Sequence, residues 1–579
     1  MQLSLEQRLL RLLSREERDE QRSHRELRAQ PIDMRVLDGE CIRDARFVRE
    51  QDGAYVFAVA DNGSKFRVGD PLVVGDGIDL EGGAPLACGA YDSTARELRC
   101  AEDPYKRAAE IDLVPGRHYV IDRRPLGLQG RLRDAVREAF TTPWLAKVLR
   151  GEHTVARDEG RLQRALQLLA SSGLNEAQVR AGAEAIATES LALVQGPPGT
   201  GKTRLLAAVV GALCEKTCRI ALCAFTHRAV GNALLAIRRA APQVPVFKLA
   251  SSSSDDHEEL RAAGVQIVDA RRVKLPEKGC VVAGTCFQLA KLHERERFHY
   301  TVFDEAGQLP IPHALPGMLR AQRWLFFGDH QQLPPVVATA HADRVAAASI
   351  FEYLNARYGS QLLDTTYRLN DGVCRVVSDT FYGGRLRSAP SAASRRMPFV
   401  AGGRLDDVLA PEHPVVWLRI DHQQPGSRSP EEANAVADVV EDLVRRHGVA
   451  KSEIAVIAPF RAQVRLLRSA LEHKDLGPLD ELVVDTVERI QGQEREVVVV
   501  SLTAGDPAES KGRGAFHLSL NRLNVALSRA RTKAILVASA HAFRALPHDA
   551  DGLRMASRCK ELAARMTTID LTRLYVANG

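Results

Sequence analysis

The chain has 579 residues, too long for a single hydrophobic core, so we expect roughly three or four domains. A hydrophobic content of 45% and a charged content of 26% are ordinary for a soluble globular protein, and the net charge of +6 permits a nucleic-acid partner without requiring one. No uncharged apolar run reaches the ~18 residues that cross a membrane, and the Arg- and Glu-rich N-terminus excludes a signal peptide, which predicts a cytoplasmic protein, nuclear if eukaryotic.

Residues 1–170 are predicted to form an accessory domain made of stalk helices and a β-barrel. From Leu3 to Arg28, leucines mix with Arg and Glu at helical spacing, which indicates an amphipathic, stalk-like helix. Alternating runs at Ala54–Val59 and Phe66–Val68, broken by Gly- and Asp-rich turns, are typical of a small barrel. A further helix is predicted at about Leu128–Arg150.

Two α/β series follow, and we interpret them as two cores in one chain. Apolar strands alternate with helices in both, which is typical of a parallel sheet covered on both faces. The first core is predicted over residues 171–350, with a short polar insert at about 251–275, and the second core with C-terminal helices over residues 351–579. The predicted strands are Leu191–Val194, Arg219–Ala224, Val281–Gly284, Thr301–Phe303, Trp324–Phe327, Val415–Leu418, Ile454–Ala458, Val497–Ser501 and Ala534–Val537.

Ten cysteines are too few and too scattered in a chain of this length for a disulfide framework. Cys214, Cys218 and Cys223 cluster where a helix gives way to an apolar strand. No fourth ligand follows at zinc spacing, so buried thiols are favoured over a metal site.

A complete phosphate-binding loop lies between a predicted strand and a predicted helix. Its residues are Gly196, Pro197, Pro198, Gly199, Thr200, Gly201, Lys202 and Thr203. The glycines let successive backbone N–H groups point at phosphates, and the helix N-terminus adds its positive end. The motif predicts a nucleoside triphosphate site with Lys202 on the β- and γ-phosphates and the Thr203 hydroxyl on Mg²⁺. A Gly/Pro-rich surface turn is the alternative, and it leaves the Lys-Thr pair to chance.

Two further polar loops follow apolar strands downstream. Asp304 and Glu305 come directly after Tyr300–Phe303, where an aspartate can hold Mg²⁺ and a glutamate can activate water for attack on the γ-phosphate. Surface charge is the alternative for this pair. In the loop that begins at Gly328, Gln332 is a candidate sensor of the γ-phosphate, although a Pro-terminated turn also fits the pattern.

In this order the three loops resemble those of the superfamily 1 helicases of the 5′-to-3′ branch, in particular the group of the nonsense-mediated-decay helicase, senataxin and the immunoglobulin mu-binding helicase. The resemblance covers about residues 171–540 and implies ATP as the nucleotide and two RecA-like cores in tandem. The phrase SKFRVGD, residues 64–70, also resembles the barrel-on-a-stalk insert of relatives. A generic OB- or SH3-like barrel is the alternative for that part.

The resemblance assigns further residues to the nucleotide, through the motifs LNEAQ, TYRLN, DTVERIQGQE and NVALSRAR. It implies that Gln178 reads the adenine edge, that Tyr367 stacks on the adenine and that Glu494 binds the ribose. It also implies that Arg368 touches the γ-phosphate and that Arg529 is the arginine finger.

The resemblance implies a nucleic-acid path across both cores as well. The residues assigned to this path are Thr226, His227, Thr285, Pro334 and Thr486. His227 stands where relatives usually carry asparagine.

The predicted function is therefore an ATP-dependent helicase or translocase that moves 5′ to 3′ on single-stranded DNA or RNA. Because Lys202 lies on one core and Arg368 and Arg529 on the other, catalysis requires the cleft between them to close. The alternative is a nucleic-acid-stimulated ATPase that acts as a clamp or remodelling switch with little unwinding. A small-molecule kinase or GTPase leaves the second core unexplained. The choice between DNA and RNA stays open, protein partners are unknown, and no membrane is expected.

Overall fold

The computed structural model contains an N-terminal helix and a β-barrel, followed by two parallel sheets in tandem. It describes residues 3–571 except 52, 61, 67, 79–82, 93, 103–111, 126, 128, 216, 251–257, 294, 336–342, 421, 423–426, 491, 504–518 and 545–549. Within these residues the predicted α/β class, with a helical stalk, a small barrel and two tandem parallel-sheet cores, is confirmed.

The stalk is a long helix, Leu5–Arg28. Ser4 caps it, because its hydroxyl accepts a hydrogen bond from Gln7 N–H while the Gln7 side-chain oxygen accepts one from Ser4 N–H. Its buried side chains share a hydrophobic cluster with the first core: Leu9, Leu12 and Leu13. The stalk is therefore anchored on that core.

The barrel follows the short helix Ile32–Leu37 and is closed by six antiparallel strands. In chain order they are Cys41–Gln51, Ala54–Ala58, Pro71–Gly75, Ala84–Asp92, Glu97–Glu102 and His118–Arg123. Of the two alternating runs expected in the barrel, Ala54–Val59 contains a strand, whereas Phe66 and Val68 lie outside the strands. Phe66 lies in a loop against the barrel core, and Val68 begins a turn at Gly69, whose φ of +91° ends any extended run.

The sheet of the first core has eight parallel strands among the described residues, and its six inner strands are largely buried on both faces, as their apolar sequences require. In spatial order they are Gln266–Val268, Val246–Leu249, Cys280–Gly284, Arg219–Ala224, Tyr300–Asp304, Trp324–Gly328, Leu191–Gln195 and Gln361–Leu362. The helices before and around it are Gln129–Thr141, Pro143–Arg150, Glu159–Ala170, Glu176–Ala187, Lys202–Glu215, His227–Ala240, Glu258–Ala262, Cys286–Leu289, Ile311–Met318, Arg344–Ala347 and Ile350–Tyr358, with a 3₁₀ turn at Ala306–Gln308.

The second core contains a pair of two-residue strands, Thr365–Thr366 and Arg387–Ser388, and a larger parallel sheet. In spatial order the described strands of that sheet are Val483–Thr486, Ile454–Ala458, Arg495–Ser501, Ala530–Ala538, Val415–Arg419 and Thr567–Asp570. Its helices are Asp371–Phe381, Pro390–Ala393, Asp406–Leu409, Pro430–Arg445, Arg461–Glu472, Leu520–Leu527 and Ala550–Arg565, with 3₁₀ turns at Lys451–Glu453 and Ala540–Arg544.

The nine strands predicted for the two cores are all present, but two predicted boundaries fall inside structural units. Helix Glu159–Ala170 shares the hydrophobic cluster of the first core, so this core begins before residue 171. Its last strand is Gln361–Leu362, beyond the predicted end at 350. Part of the predicted insert, residues 251–257, lies outside the described residues. The rest contributes Gln266–Val268 to the edge of the sheet.

The ten cysteines, all within the described residues, form no disulfide. Nine of them are buried and Cys218 is half-buried. Burial raises the pKa of the Cys214 thiol to about 12, and it raises the pKa of the Cys223 thiol as well. In the described parts of the chain, no helix combines the length and the apolar character that a bilayer span requires.

Candidate nucleotide site and nucleic-acid interface

Except for Gln178, which lies on helix Glu176–Ala187, the predicted site residues of the first core follow the carboxyl ends of neighbouring parallel strands. The loop after Cys280–Gly284 lies beside the loop after Arg219–Ala224, and these two carry Thr226, His227 and Thr285. The loops after Tyr300–Asp304, Trp324–Gly328 and Leu191–Gln195 come next and carry the nucleotide residues. Parallel strands end on one edge, so the two groups of loops lie side by side there.

Two glycines allow close approaches to the phosphate loop. Gly199 and Gly201 have φ angles of +73° and +74°, in the left-handed region that favours glycine. A Cβ atom at Gly199 would lie 2.4 Å from the Cβ of Arg368, and one at Gly201 would lie 2.6 Å from Nε2 of Gln178. The loop is therefore enclosed between its own core and a residue of the second core.

The Lys202 ammonium lies between two carboxylates. Its Nζ donates to Asp304 Oδ1 and, at 3.0 Å, to Glu305 Oε1. Burial opposes the charge of Lys202, but the two carboxylates hold its pKa above the ordinary value. Burial raises the pKa of Asp304, with Lys202 acting against that shift. Glu305 has a φ of +51°, and strained backbone of this kind is concentrated at functional sites.

A short segment of the second core binds the backbone of the phosphate loop. The Thr366 hydroxyl donates to Pro198 O at 2.8 Å, and Tyr367 N–H donates to Gly199 O at 2.9 Å. Asn175 Nδ2 donates to the Tyr367 hydroxyl at 2.9 Å, beside the predicted adenine segment, and Tyr367 is 40% exposed. Sequence reasoning did not single out Thr366, although the TYRLN motif begins with it.

Two arginines of the second core lie at this site. Arg529 is buried, and its Nη2 is 3.5 Å from Gln332 Oε1, which accepts its hydrogen bond. Burial lowers the pKa of Arg529 to about 9; the positive charge of Arg368 acts in the same direction, and Glu305 opposes it. Arg368 Nε donates to Glu494 Oε2 at 2.6 Å. The structure thus brings together four predicted nucleotide residues from sequence positions 332 to 529.

A buried hydrogen-bond network centred on Asp329 connects the cores. Asp329 Oδ2 accepts from the Tyr382 hydroxyl at 2.6 Å and from Gln332 Nε2 at 2.9 Å, while Oδ1 accepts from Gln195 Nε2 at 3.0 Å. Asn524 Nδ2 donates to the Tyr382 hydroxyl at 2.9 Å. Burial raises the pKa of both Asp329 and Tyr382. Sequence reasoning gave Asp329, Tyr382 and Asn524 no role, although each lies in or beside a recognised motif.

Gln178 lies beneath the phosphate loop and is 2% exposed. Its Oε1 accepts from Asn175 N–H and its Nε2 donates to Thr200 O, both at 2.9 Å. The amide therefore supports the loop directly, and its role as a reader of the adenine edge stays a prediction.

The predicted nucleic-acid residues differ in their exposure. Thr226 and His227 are exposed at the start of a helix, where the Thr226 hydroxyl accepts from Ala229 N–H at 3.1 Å. Pro334 is exposed, and Thr486 is half-buried at the end of a strand of the second sheet.

Thr285 is the least exposed of these residues, at 8%. Its N–H donates to Gln288 Oε1 at 3.1 Å at the start of a short helix, which satisfies part of the helix N-terminus. The contact of the Thr285 side chain with a backbone phosphate stays a prediction.

A half-buried histidine lies between the two segments that carry Thr226 and Thr285. The His313 ring lies edge-on to Phe225 at 6.1 Å and to Phe287 at 5.4 Å between ring centroids. Burial lowers its pKa to about 4, so the ring is neutral at pH 7. No signal in the sequence identified this residue.

The residues at the loop fit a magnesium ion. Thr203 offers a hydroxyl and Asp304 a carboxylate, and hard oxygen ligands are those that Mg²⁺ prefers. The hydrogen bonds that Asp304 accepts from Lys202 Nζ and from Glu305 N–H both end on Oδ1. Its second oxygen has no hydrogen-bond partner among the described residues.

Two family models described as AAA domains match the chain, one at residues 173–396 and the other at residues 346–541. The chain is 28% identical over 400 residues to the DNA replication ATP-dependent helicase/nuclease JHS1 of Arabidopsis thaliana, and the aligned part covers 65% of this chain and 29% of that protein. It is 27% identical over 414 residues to the DNA replication ATP-dependent helicase/nuclease DNA2 of Mus musculus, which covers 65% of this chain and 38% of that one. The chain thus spans less than two fifths of the length of these relatives.

Among solved structures, the helicase nonstructural protein 10 of an arterivirus matches with 16% identity and a TM-score of 0.38, over 88% of this chain and 80% of that one. The resemblance of the chain to the superfamily 1 helicases of the 5′-to-3′ branch, the branch of the matched DNA2 proteins, is confirmed.

Proposed function

We propose that the chain is a nucleic-acid-stimulated ATP hydrolase that moves 5′ to 3′ along single-stranded DNA and acts as a helicase. The main support for this proposal is that residues of both cores lie at the phosphate loop. Thr366 and Tyr367 of the second core bind the loop backbone, and Arg529 lies 3.5 Å from Gln332 of the first core. Residues of both cores would contact the terminal phosphate of ATP, so the bound nucleotide would control how the cores pack against each other.

In the proposed reaction, Lys202 binds the β- and γ-phosphates, and Glu305 orients a water molecule and accepts its proton. The water oxygen forms a bond to the γ-phosphorus while the bond to the β–γ bridging oxygen breaks, which yields ADP and phosphate. Arg368 and Arg529 stabilise the charge on the γ-phosphate oxygens, and an arginine in this role is worth roughly 10³–10⁵ in rate. Thr203 and Asp304 would hold Mg²⁺, which supplies further positive charge for the phosphate oxygens.

The network around Asp329 supports a coupling of this reaction to movement. Gln332 contacts both Asp329 and Arg529, and Tyr382 of the second core contacts Asp329 directly. A change at the γ-phosphate that displaces Gln332 would therefore alter the hydrogen bonds that link the first core to Arg529 and Tyr382 of the second core. The exposed Thr226 lies at the same sheet edge, so relative movement of the cores would move a bound strand.

DNA is proposed as the main substrate because the matched relatives are named for DNA replication. The same names favour the nucleus in a eukaryote, and the cytoplasm otherwise. Nuclease activity is not proposed, since the sequence contains no recognisable nuclease motif.

The decisive experiment measures ATP hydrolysis with single-stranded DNA and RNA in parallel. We expect strong stimulation by DNA, loss of turnover by orders of magnitude in Glu305→Gln with nucleotide binding retained, and weaker nucleotide binding in Lys202→Ala. The matched control is Glu189→Gln, which replaces a carboxylate on a side chain that is 53% exposed, and we expect this variant to keep its activity. Normal hydrolysis by Glu305→Gln would remove the water-activating role from that residue.

Strand displacement separates a helicase from the alternative clamp or remodelling switch. We expect ATP-dependent displacement from duplexes with a 5′ single-stranded tail and little from duplexes with a 3′ tail. Stimulated hydrolysis without displacement on either substrate would favour the clamp.

A further inference from the structure

The solvent-facing side of the N-terminal helix carries a row of exposed arginines. They recur at intervals of three or four residues, a spacing that places side chains on one face of a helix: Arg11, Arg15, Arg18, Arg22 and Arg25. The row extends about 21 Å along the helix axis, at 1.5 Å per residue. We name these five residues the arginine ridge.

The opposite face of this helix is packed on the protein. Glu17 pairs with Arg133 of a neighbouring helix at 2.6 Å, and His24 Nε2 lies 3.0 Å from Arg123 O of the barrel. The buried side chains of this face join the cluster of the first core: Leu9, Leu12 and Leu13. The helix is thus held on one side, and the arginine ridge points to solvent.

Little of the charge on the ridge is neutralised within the chain. Among the described residues, Arg22 is the one member that forms ion pairs, at 2.8 Å with Asp19 and 3.9 Å with Glu26. The Nε atoms of Arg18 and Arg25 donate to backbone carbonyls one turn earlier, which leaves their terminal guanidinium nitrogens directed outward. Like charges at these spacings destabilise a helix, and the two ion pairs of Arg22 do not account for a row of five exposed arginines.

We propose that the arginine ridge binds the phosphate backbone of duplex nucleic acid lying outside the cleft, an inference that rests on the proposed function. The arginine guanidinium is a planar fork that suits phosphate oxygens, and a duplex presents one negative charge per ~1.7 Å of axis. The single strand is assigned to the two cores, so the part of a tailed substrate that remains for the stalk is its duplex.

A lipid surface does not fit this helix. An amphipathic helix that binds a membrane must insert its apolar face, and the leucines of this helix are buried in the protein core. The ridge itself contains no apolar side chain, and its neighbours on the same face are polar or small: Ser4, Gln7 and Ala29.

The test uses the full chain with Arg11→Gln, Arg15→Gln and Arg18→Gln combined, and it leaves the ion-paired Arg22 in place. Binding of a labelled duplex with a 5′ tail is measured across salt concentrations, beside binding of the tail alone. A second triple variant removes the same charge from exposed positions of the first core: Arg180→Gln, Arg239→Gln and Arg295→Gln.

Each lost phosphate contact reduces the magnitude of the slope of log affinity against log salt concentration by about 0.9. For the tailed duplex, the slope of the ridge variant should therefore be smaller in magnitude than the wild-type slope by about 2.7. Between about 50 and 200 mM salt the wild type should then lose about 40-fold more affinity than the ridge variant. The slope for the tail alone, and ATP hydrolysis stimulated by the tail, stay unchanged.

An unchanged slope on the tailed duplex, or an equal loss in the control triple variant, would overturn the proposal and favour an acidic protein as the ligand of the ridge. Absence of ATPase stimulation in the wild type would instead count against the proposed function. The salt slope would still decide the role of the ridge in that case.

Discussion

Replacing Gly199 by alanine tests whether the second core must fit against the phosphate loop for catalysis. The added Cβ would lie 2.4 Å from the Cβ of Arg368 and 2.6 Å from the Thr366 hydroxyl oxygen. Neither atom is the end of a flexible side chain, so the segment that carries them must move away from the loop. Its two hydrogen bonds to the loop, from Thr366 to Pro198 and from Tyr367 to Gly199, are then lost or lengthened.

The size of the effect follows from those two bonds. Each contributes about 0.5–1.5 kcal/mol net, so their loss disfavours the closed arrangement by about 1–3 kcal/mol. If closure precedes hydrolysis, kcat falls by about 5- to 150-fold, since about 1.4 kcal/mol corresponds to a factor of ten. The left-handed backbone adds a separate cost of about 1–2 kcal/mol to global stability.

The matched control is Gly359→Ala in the same core. Gly359 has a φ of +71°, close to the +73° of Gly199, but a Cβ atom there meets nothing within 4 Å among the described atoms. The ψ of Gly359 is 176°, a backbone conformation that is essentially restricted to glycine, so Gly359→Ala should lose at least as much thermal stability as Gly199→Ala. Only Gly199→Ala should lose steady-state ATPase activity at saturating DNA. Equal kcat values for the two variants would refute the reasoning.

Three further predictions concern buried groups. Tyr382→Phe removes a donor to buried Asp329, so the free energy of unfolding in urea should fall by about 1–3 kcal/mol, and an unchanged value would contradict the network. Arg529→Lys keeps the charge but loses the planar fork, so kcat should fall by about 10³ with little change in KM for ATP; activity near wild type would argue against a finger role. Burial lowers the pKa of His313 from 6.5 to about 4, so the unfolded chain binds the proton first and stability falls as the pH drops through this range. The loss should reach about 3 kcal/mol and be absent in His313→Phe; parallel pH profiles of unfolding for both proteins would contradict this.

The strands and the loops at their ends could be predicted from the sequence because both are encoded locally. Buried parallel strands are continuous apolar runs, and the phosphate loop is a continuous motif with Lys202 at a fixed place. Strands of two or three residues, such as Gln361–Leu362, carry no such pattern and were not predicted. The barrel loop at Phe66 has the alternation of apolar and polar residues that is typical of a strand, because a half-buried aromatic residue lies between polar ones.

Contacts between residues distant in the chain could not be predicted in the same way. The contacts among Asp329, Tyr382 and Asn524 form only because the cores fold against each other. The sequence around each of these residues does not indicate which residues it will contact. Burial is equally hidden, since Thr285 and Thr226 each follow a strand and begin a helix, yet Thr285 is 8% exposed and Thr226 lies on the surface.

The burial of the native cysteines has a practical consequence for measuring relative movement of the two cores. Thiol reagents react with accessible thiolates, and nine of the ten sulfhydryls are inside the protein with raised pKa values or apolar surroundings. The half-buried Cys218 is the exception, so Cys218→Ser should give a background with little labelling. Dyes attached to cysteines introduced at exposed Arg180 and Arg404, one on each core, would then report opening and closing by energy transfer in single molecules.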